Sequence, residues 1–145
     1  DVFWMNIDPM LLDEMDLHVN EEGKLIFPVT AVLPAYLMGS GLGSSSLMNG
    51  DYDIMTQDKE ANEKFGINDL KFGDFVAVLD HDSTYGAHYK NNAVTIGVVV
   101  HSDSFTSGHG PGLTVVATSE NGSIEPVYDP EANIGKYFAA LQSER

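Results

Sequence analysis

The chain contains no cysteine. Disulfide scaffolds, thiolate metal sites, iron–sulfur ligation and cysteine nucleophiles are thereby excluded, and the expected location is the reducing cytoplasm. No stretch approaches the ~18 consecutive apolar residues of a transmembrane helix. No basic segment followed by an apolar one opens the chain as a signal peptide would. Positive charge is scarce, with 7 Lys and Arg against 22 Asp and Glu and a formal net charge of −15. So anionic a surface repels phosphate backbones and anionic lipid, so neither nucleic acid nor membrane is an expected partner. Internal repeats are lacking, as are interdomain linkers and low-complexity tracts beyond one short Gly/Ser segment.

What is present reads as one α+β domain spanning residues 1–145. Apolar residues make up 43% of the 145, enough for a core at this length. Asp1–Asn6 reads as a short strand, through Val2, Phe3, Trp4 and Met5. Asp8-Pro9 reads as a helix start, with Asp capping free amides and Pro suited to the first helical position. Asn20–Gly23 is a turn between strands at Leu17–Val19 and Lys24–Phe27. Pro28 and Pro34 make the apolar run from Pro28 to Met38 extended and edge-like. Gly39–Ser46 is a loop. A short helix over Asp58–Phe65 stops at Gly66. Leu70–Asp74 (LKFGD) is a turn feeding a strand at Phe75–Leu79, and further strands follow at Ala93–His101 and Leu113–Thr118. Asp129-Pro130 repeats the helix-start device. Ile134, Tyr137, Phe138 and Leu141 then recur at helical spacing, giving a C-terminal amphipathic helix. Short strands between Gly-rich turns, with a few peripheral helices, point to a mixed or antiparallel sheet.

Two polar segments each follow a strand, where functional loops commonly sit. Asp80–His88 (DHDSTYGAH) holds Asp80, His81, Asp82, Tyr85 and His88. Continued strand alternation puts Asp80 and Asp82 on one face, able to share a cation. His101–Gly112 (HSDSFTSGHGPG) holds His101, Asp103 and His109, the last read as lying in a Gly-Pro-Gly turn. Imidazole and carboxylate suit zinc, manganese or iron and equally serve as general acid and base. The candidate metal ligands are Asp80, Asp82, His101 and Asp103, with a divalent cation as the expected cofactor. The candidate catalytic residues are His101, His109 and Asp103. Gly39, Gly41 and Ser44 of the Gly/Ser loop, with Tyr85 and Gly110, are candidate ligand-binding positions. The Gly/Ser loop lacks a Walker lysine. Each of these residue types also makes ordinary turns. In Asp51–Asp58 (DYDIMTQD), Thr56 or Asp58 is suited to cap the next helix, and the alternative is a contribution of Asp51 or Asp53 to a metal site. His18 and Trp4 read as structural.

The phrases VTAVLPAYLMGSGLGSSS, YDIMTQD, DLKFGDFVAVLDHDSTYG, AVTIGVVVHSD and GHGPG, in this order between about Met5 and Asn133, resemble the C-terminal half of an uncharacterised prokaryotic family, domain-of-unknown-function family 4438. Ala87-His88 stands where members more often carry a basic residue and glycine. The resemblance implies a further N-terminal segment before Asp1 as a partner in the same protein, and no activity. A fainter similarity in phrase order is to acetamidase/formamidase-like amidohydrolases. The residues themselves lead to a metal-assisted hydrolase or lyase domain acting on a small polar substrate. The alternative is a non-catalytic small-ligand-binding or assembly module, in the latter case a homo-oligomer. The enzymatic reading requires the two acid-and-imidazole loops to meet over a common cleft.

Overall fold

A computed structural model describes residues 2–37, 51–55, 59–82, 88–101 and 109–143, with the backbone alone at 51–53, 55, 59, 81–82, 88–90, 101, 109–111 and 140–143. Strand β1 (Phe3–Trp4) leads to helix α1 (Pro9–Met15). Asp8 caps α1, its carboxylate accepting the Met10 amide at 2.8 Å, and Pro9 occupies the first turn. Asp16 ends the helix in the left-handed conformation. Strands β2 (His18–Val19) and β3 (Leu25–Val29) form a hairpin whose turn is held by Asn20, which accepts the amides of Glu22 and Lys24. Then come β4 (Ala31–Pro34), β5 (Asp51–Met55), α2 (Lys59–Lys64) and a 3-10 turn (Ile67–Asp69). Strands β6 (Phe75–Asp82), β7 (His88–His101), β8 (His109–Ser119) and β9 (Ile124–Tyr128) precede helix α3 (Ile134–Ser143).

The larger sheet runs β1-β8-β7-β6-β4, and β5 shares the outer edge of β8 with β1. Strand β4 is parallel to β6, while β6, β7 and β8 are mutually antiparallel. The smaller sheet, β2-β3-β9, joins an antiparallel and a parallel pair. The fold is thus α+β on mixed sheets. Its edge strands β4 and β9 carry Pro34 and Pro126, residues that cannot donate to a ladder and so suit sheet edges.

Alternation along β6 divides the interior in two. Val76 and Val78 face one core with Leu33, Ile54, Ile67, Leu70, Val99 and Leu113. Phe75 and Ala77 face the other with Phe27, Val29, Ile96, Ala117 and Ile124. In this second core Phe27 meets Phe75 edge-on at 5.3 Å, and Trp4 and Tyr137 flank the pair at 6.3 and 6.2 Å. Helices α1 and α3 pack against one another outside it. A bulge in β8, where the register with Ile96 and Gly97 skips Val116, turns both Val116 and Ala117 to this core.

Three elements depart from the sequence reading. Asp51–Met55, assigned no strand from its sequence, is strand β5, with Ile54 fully buried. Strand β9 went unread because Pro126 breaks its pattern; it tolerates proline because it lies at an edge. Asp129-Pro130 makes a turn, Asp129 accepting the Glu131 amide at 2.9 Å, and α3 begins four residues beyond Pro130 under the cap of Asn133.

That cap belongs to a knot at the foot of β6. Asp74 is buried, its two carboxylate oxygens accepting from the Asn133 side-chain amide at 2.8 Å and the Lys71 backbone amide at 2.9 Å. Asn133 also donates to the Phe72 carbonyl and accepts the Gly135 amide at 2.7 Å. Gly73 donates to the Val99 carbonyl and receives the Ile134 amide, both at 2.7 Å. Its φ of +89° and the atoms of Asn133 and Ile134 that a Cβ would meet at 2.9 Å both require glycine here. Gly73→Ala is therefore expected to lower unfolding free energy by about 2–3 kcal/mol, read from urea denaturation; a loss within experimental error would contradict this account of the knot.

Candidate functional site

Strand β6 does continue through Asp82, as the reading of Asp80 and Asp82 required, but its alternation does not. The register with β7 jumps from Leu79↔Val94 to His81↔Tyr89, and Asp80 takes a left-handed φ of +60°. Asp80 Oδ1 accepts the amide of Asn92, itself left-handed at +71°, at 2.8 Å. Asp80 thus stitches an irregularity between the two strands, a role Asp fills because its short side chain tolerates this backbone and bonds locally. Asp82 pairs in register with His88 at the tip of the same hairpin.

The antiparallel order of β6, β7 and β8 separates the two polar loops. Asp82 lies opposite His88, the first residue of β7, whereas His101 is its last. At about 3.3 Å per residue the 14-residue strand puts on the order of 40 Å of chain between them. Metal–ligand bonds span about 2.0–2.6 Å. Asp80 and Asp82 therefore do not meet His101 at one ion, because consecutive antiparallel hairpins turn at opposite ends of a sheet. The common cleft expected for the two loops is corrected by the same register. Tyr85 and Asp103 lie outside the described residues, as do Gly39, Gly41 and Ser44.

The register does bring other candidates together at the foot of the sheet. His101 and Asp53 both pair with Gly112, on opposite sides of β8, forming one row across β7, β8 and β5. His109 pairs with Met55 in the adjoining part of β5 and β8. The Gly-His-Gly-Pro-Gly phrase is not the turn expected: residues 109–112, with His109 and Gly110, belong to β8. Asp53 was legible as a metal candidate, but its place beside His101 depends on a strand pairing that its own sequence does not signal.

Elsewhere the titratable and polar groups have structural work. Thr95 and Thr118, paired across β7 and β8, share a 2.9 Å hydroxyl contact in the interior. His18 is exposed on β2, 3.7 Å from Asp16. Half-buried Tyr137 has its pKa raised, chiefly by desolvation, with Asp129 adding to the rise and Lys136 opposing it. Among the described residues no group of three or more His, Asp or Glu is arranged to hold a metal, and no helix is long and apolar enough to cross a membrane.

Comparison with known proteins adds family and fold. The family model "Domain of unknown function (DUF4438), C-terminal" matches residues 14–138. A solved structure titled "Crystal structure of TM1086" is 46% identical with a TM-score of 0.81, covering 94% of this chain and 47% of that one. The chain thus spans about half the length of that solved relative. No curated protein matches it.

Two outcomes follow from this geometry. Because Asp80 and His101 lie far apart, the stability effects of Asp80→Ala and His101→Ala should add to within about 0.5 kcal/mol in a double-mutant cycle; coupling well above that would contradict the register. For Tyr137, burial favours the protonated phenol, so its stabilisation is complete below the unfolded-state value near 10 and is lost as pH rises through the higher folded value. The thermal midpoint should fall above about pH 10, and Tyr137→Phe should make that alkaline fall shallower; an unchanged slope would count against it.

Proposed function

The chain belongs to the DUF4438 C-terminal family, and within that frame we propose that the β5–β7–β8 end is a hydrolase or lyase site for a small polar substrate. The observation that carries the reading is the row His101–Gly112–Asp53. Neighbouring strands are about 4.8 Å apart, so the backbones of His101 and Asp53 stand roughly 10 Å apart across a residue without a side chain. That spacing is compatible with an imidazole and a carboxylate sharing one divalent cation. His109 starts the next strand of the hairpin, and Asp103 lies in the segment between His101 and His109.

A bound divalent ion would supply a water of lowered pKa. The chain's own part would be to hold that ion through Asp53 and His101 and to move a proton through His109. Imidazole is suited to the second task because it changes charge between about pH 5 and 8. In a protein of the solved relative's length, the remaining half would help to bound the substrate.

The test is metal analysis and thermal shift on protein purified without a histidine tag, before and after chelation and metal add-back. At saturation the ion should raise the midpoint on the order of 5–10 °C. His101→Ala and Asp53→Asn should abolish that rise, and Asp80→Asn should keep it. A rise equal in His101→Ala and wild type, or none in any protein, would sink the proposal.

A further inference from the structure

A cleft of about 480 Å³ opens between the start of β4, the end of α2 and the turn before β6. Its volume lies in the range of small-molecule sites, roughly 300–1,000 Å³. Val32, Phe65, Leu70 and Tyr128 give it apolar walls, and Tyr128 stands 70% exposed beside it. Lys64 and Lys71, two of the chain's seven cationic side chains, line the same cleft. So do Glu63 and Asp69.

Charges of both signs meet here without neutralising one another. Among the described residues, ion pairs join Asp16 with His18 and Glu22 with Lys24; none joins Lys64 or Lys71 to a carboxylate. The Lys64 ammonium instead lies 5.3 Å from the Phe65 ring centre. The nearby Asp74 has both oxygens occupied by Asn133 and the Lys71 backbone, so it takes no part. A simple anion would be drawn by the two ammonium groups and repelled by the two carboxylates; a simple cation meets the reverse. A ligand bearing both charges on an apolar body complements the whole lining.

We infer that this cleft binds a small zwitterion with an apolar side chain, of the amino-acid type. Lys64 and Lys71 would face its carboxylate, Glu63 or Asp69 its ammonium, and Tyr128 with Phe65 its side chain. The inference is independent of the imidazole site, and its test reads binding alone.

The experiment is a ¹⁵N–¹H NMR titration with L-phenylalanine, 3-phenylpropionate and phenethylamine, which share one ring and differ in charge. L-phenylalanine should shift the amides of residues 63–66 and 69–71 saturably, with a dissociation constant below about 10 mM. Each single-charge analogue should bind roughly tenfold more weakly. The double variant Lys64→Gln/Lys71→Gln, at two exposed positions, should keep the wild-type thermal midpoint and lose the preference for L-phenylalanine over phenethylamine. No saturable shift, equal binding of either analogue, or an unchanged preference in the double variant would overturn the inference. If that variant's midpoint falls, the double variant Glu63→Gln/Asp69→Asn provides the second reading: it should remove the preference for L-phenylalanine over 3-phenylpropionate, and an unchanged preference would overturn the inference.

Discussion

The fold depends on one buried carboxylate. Asp74 has left water at the foot of the longest strand system, and desolvating a carboxylate is costly unless hydrogen bonds replace the lost solvation. Asn133 and the Lys71 amide supply them. Through those bonds the turn before β6 is locked, and Asn133 is oriented to cap α3. Gly73 lets the chains approach closely enough for the bonds to form, while tying β7 and α3 to the same point. Turn, sheet and terminal helix are thus mutually conditional. Replacing Asn133 would disturb the helix start and leave a buried acceptor short of a donor, a larger effect than losing a cap alone.

Much of this was legible because the signals are local. The Gly-Asp pair in LKFGD marks the turn, and the alternation from Phe75 to Val78 marks a strand covered on both faces, as the two cores bear out. Asp8-Pro9 announces α1 because cap and proline act within one turn. Asp129-Pro130 shows the limit of the same device: the pair begins a turn as readily as a helix, and the cap falls at Asn133. Strand β5 was hidden for a different reason. Its acids Asp51 and Asp53 read as metal candidates rather than as strand residues, and its strand character comes from pairing with β8, far along the chain.

The candidate site was legible in its residue types and not in its assembly. His101 ends a strand, as its place in Ala93–His101 suggested, whereas His109, read in a turn, begins β8. The two loops were assigned to one cleft because both follow strands. Following a strand does not fix direction, and direction decides which loops are neighbours. Antiparallel succession sends consecutive loops to opposite ends, so Asp80 and Asp82 part from His101. Asp80 shows a second limit, since a bulge is invisible in a periodic pattern until its partner strand is known.

The prolines of the outermost strands bear on how copies of this domain can meet. A rim strand with free amides is a template onto which another chain can zip, the first step toward fibrils or swapped dimers. Pro126, whose ring nitrogen faces away from β3, deletes one rung from such a template, whereas the amide position of Pro34 faces β6. Strand addition along β9 is weakened accordingly, which favours contacts made through side chains, reversible and tunable by salt on so anionic a surface.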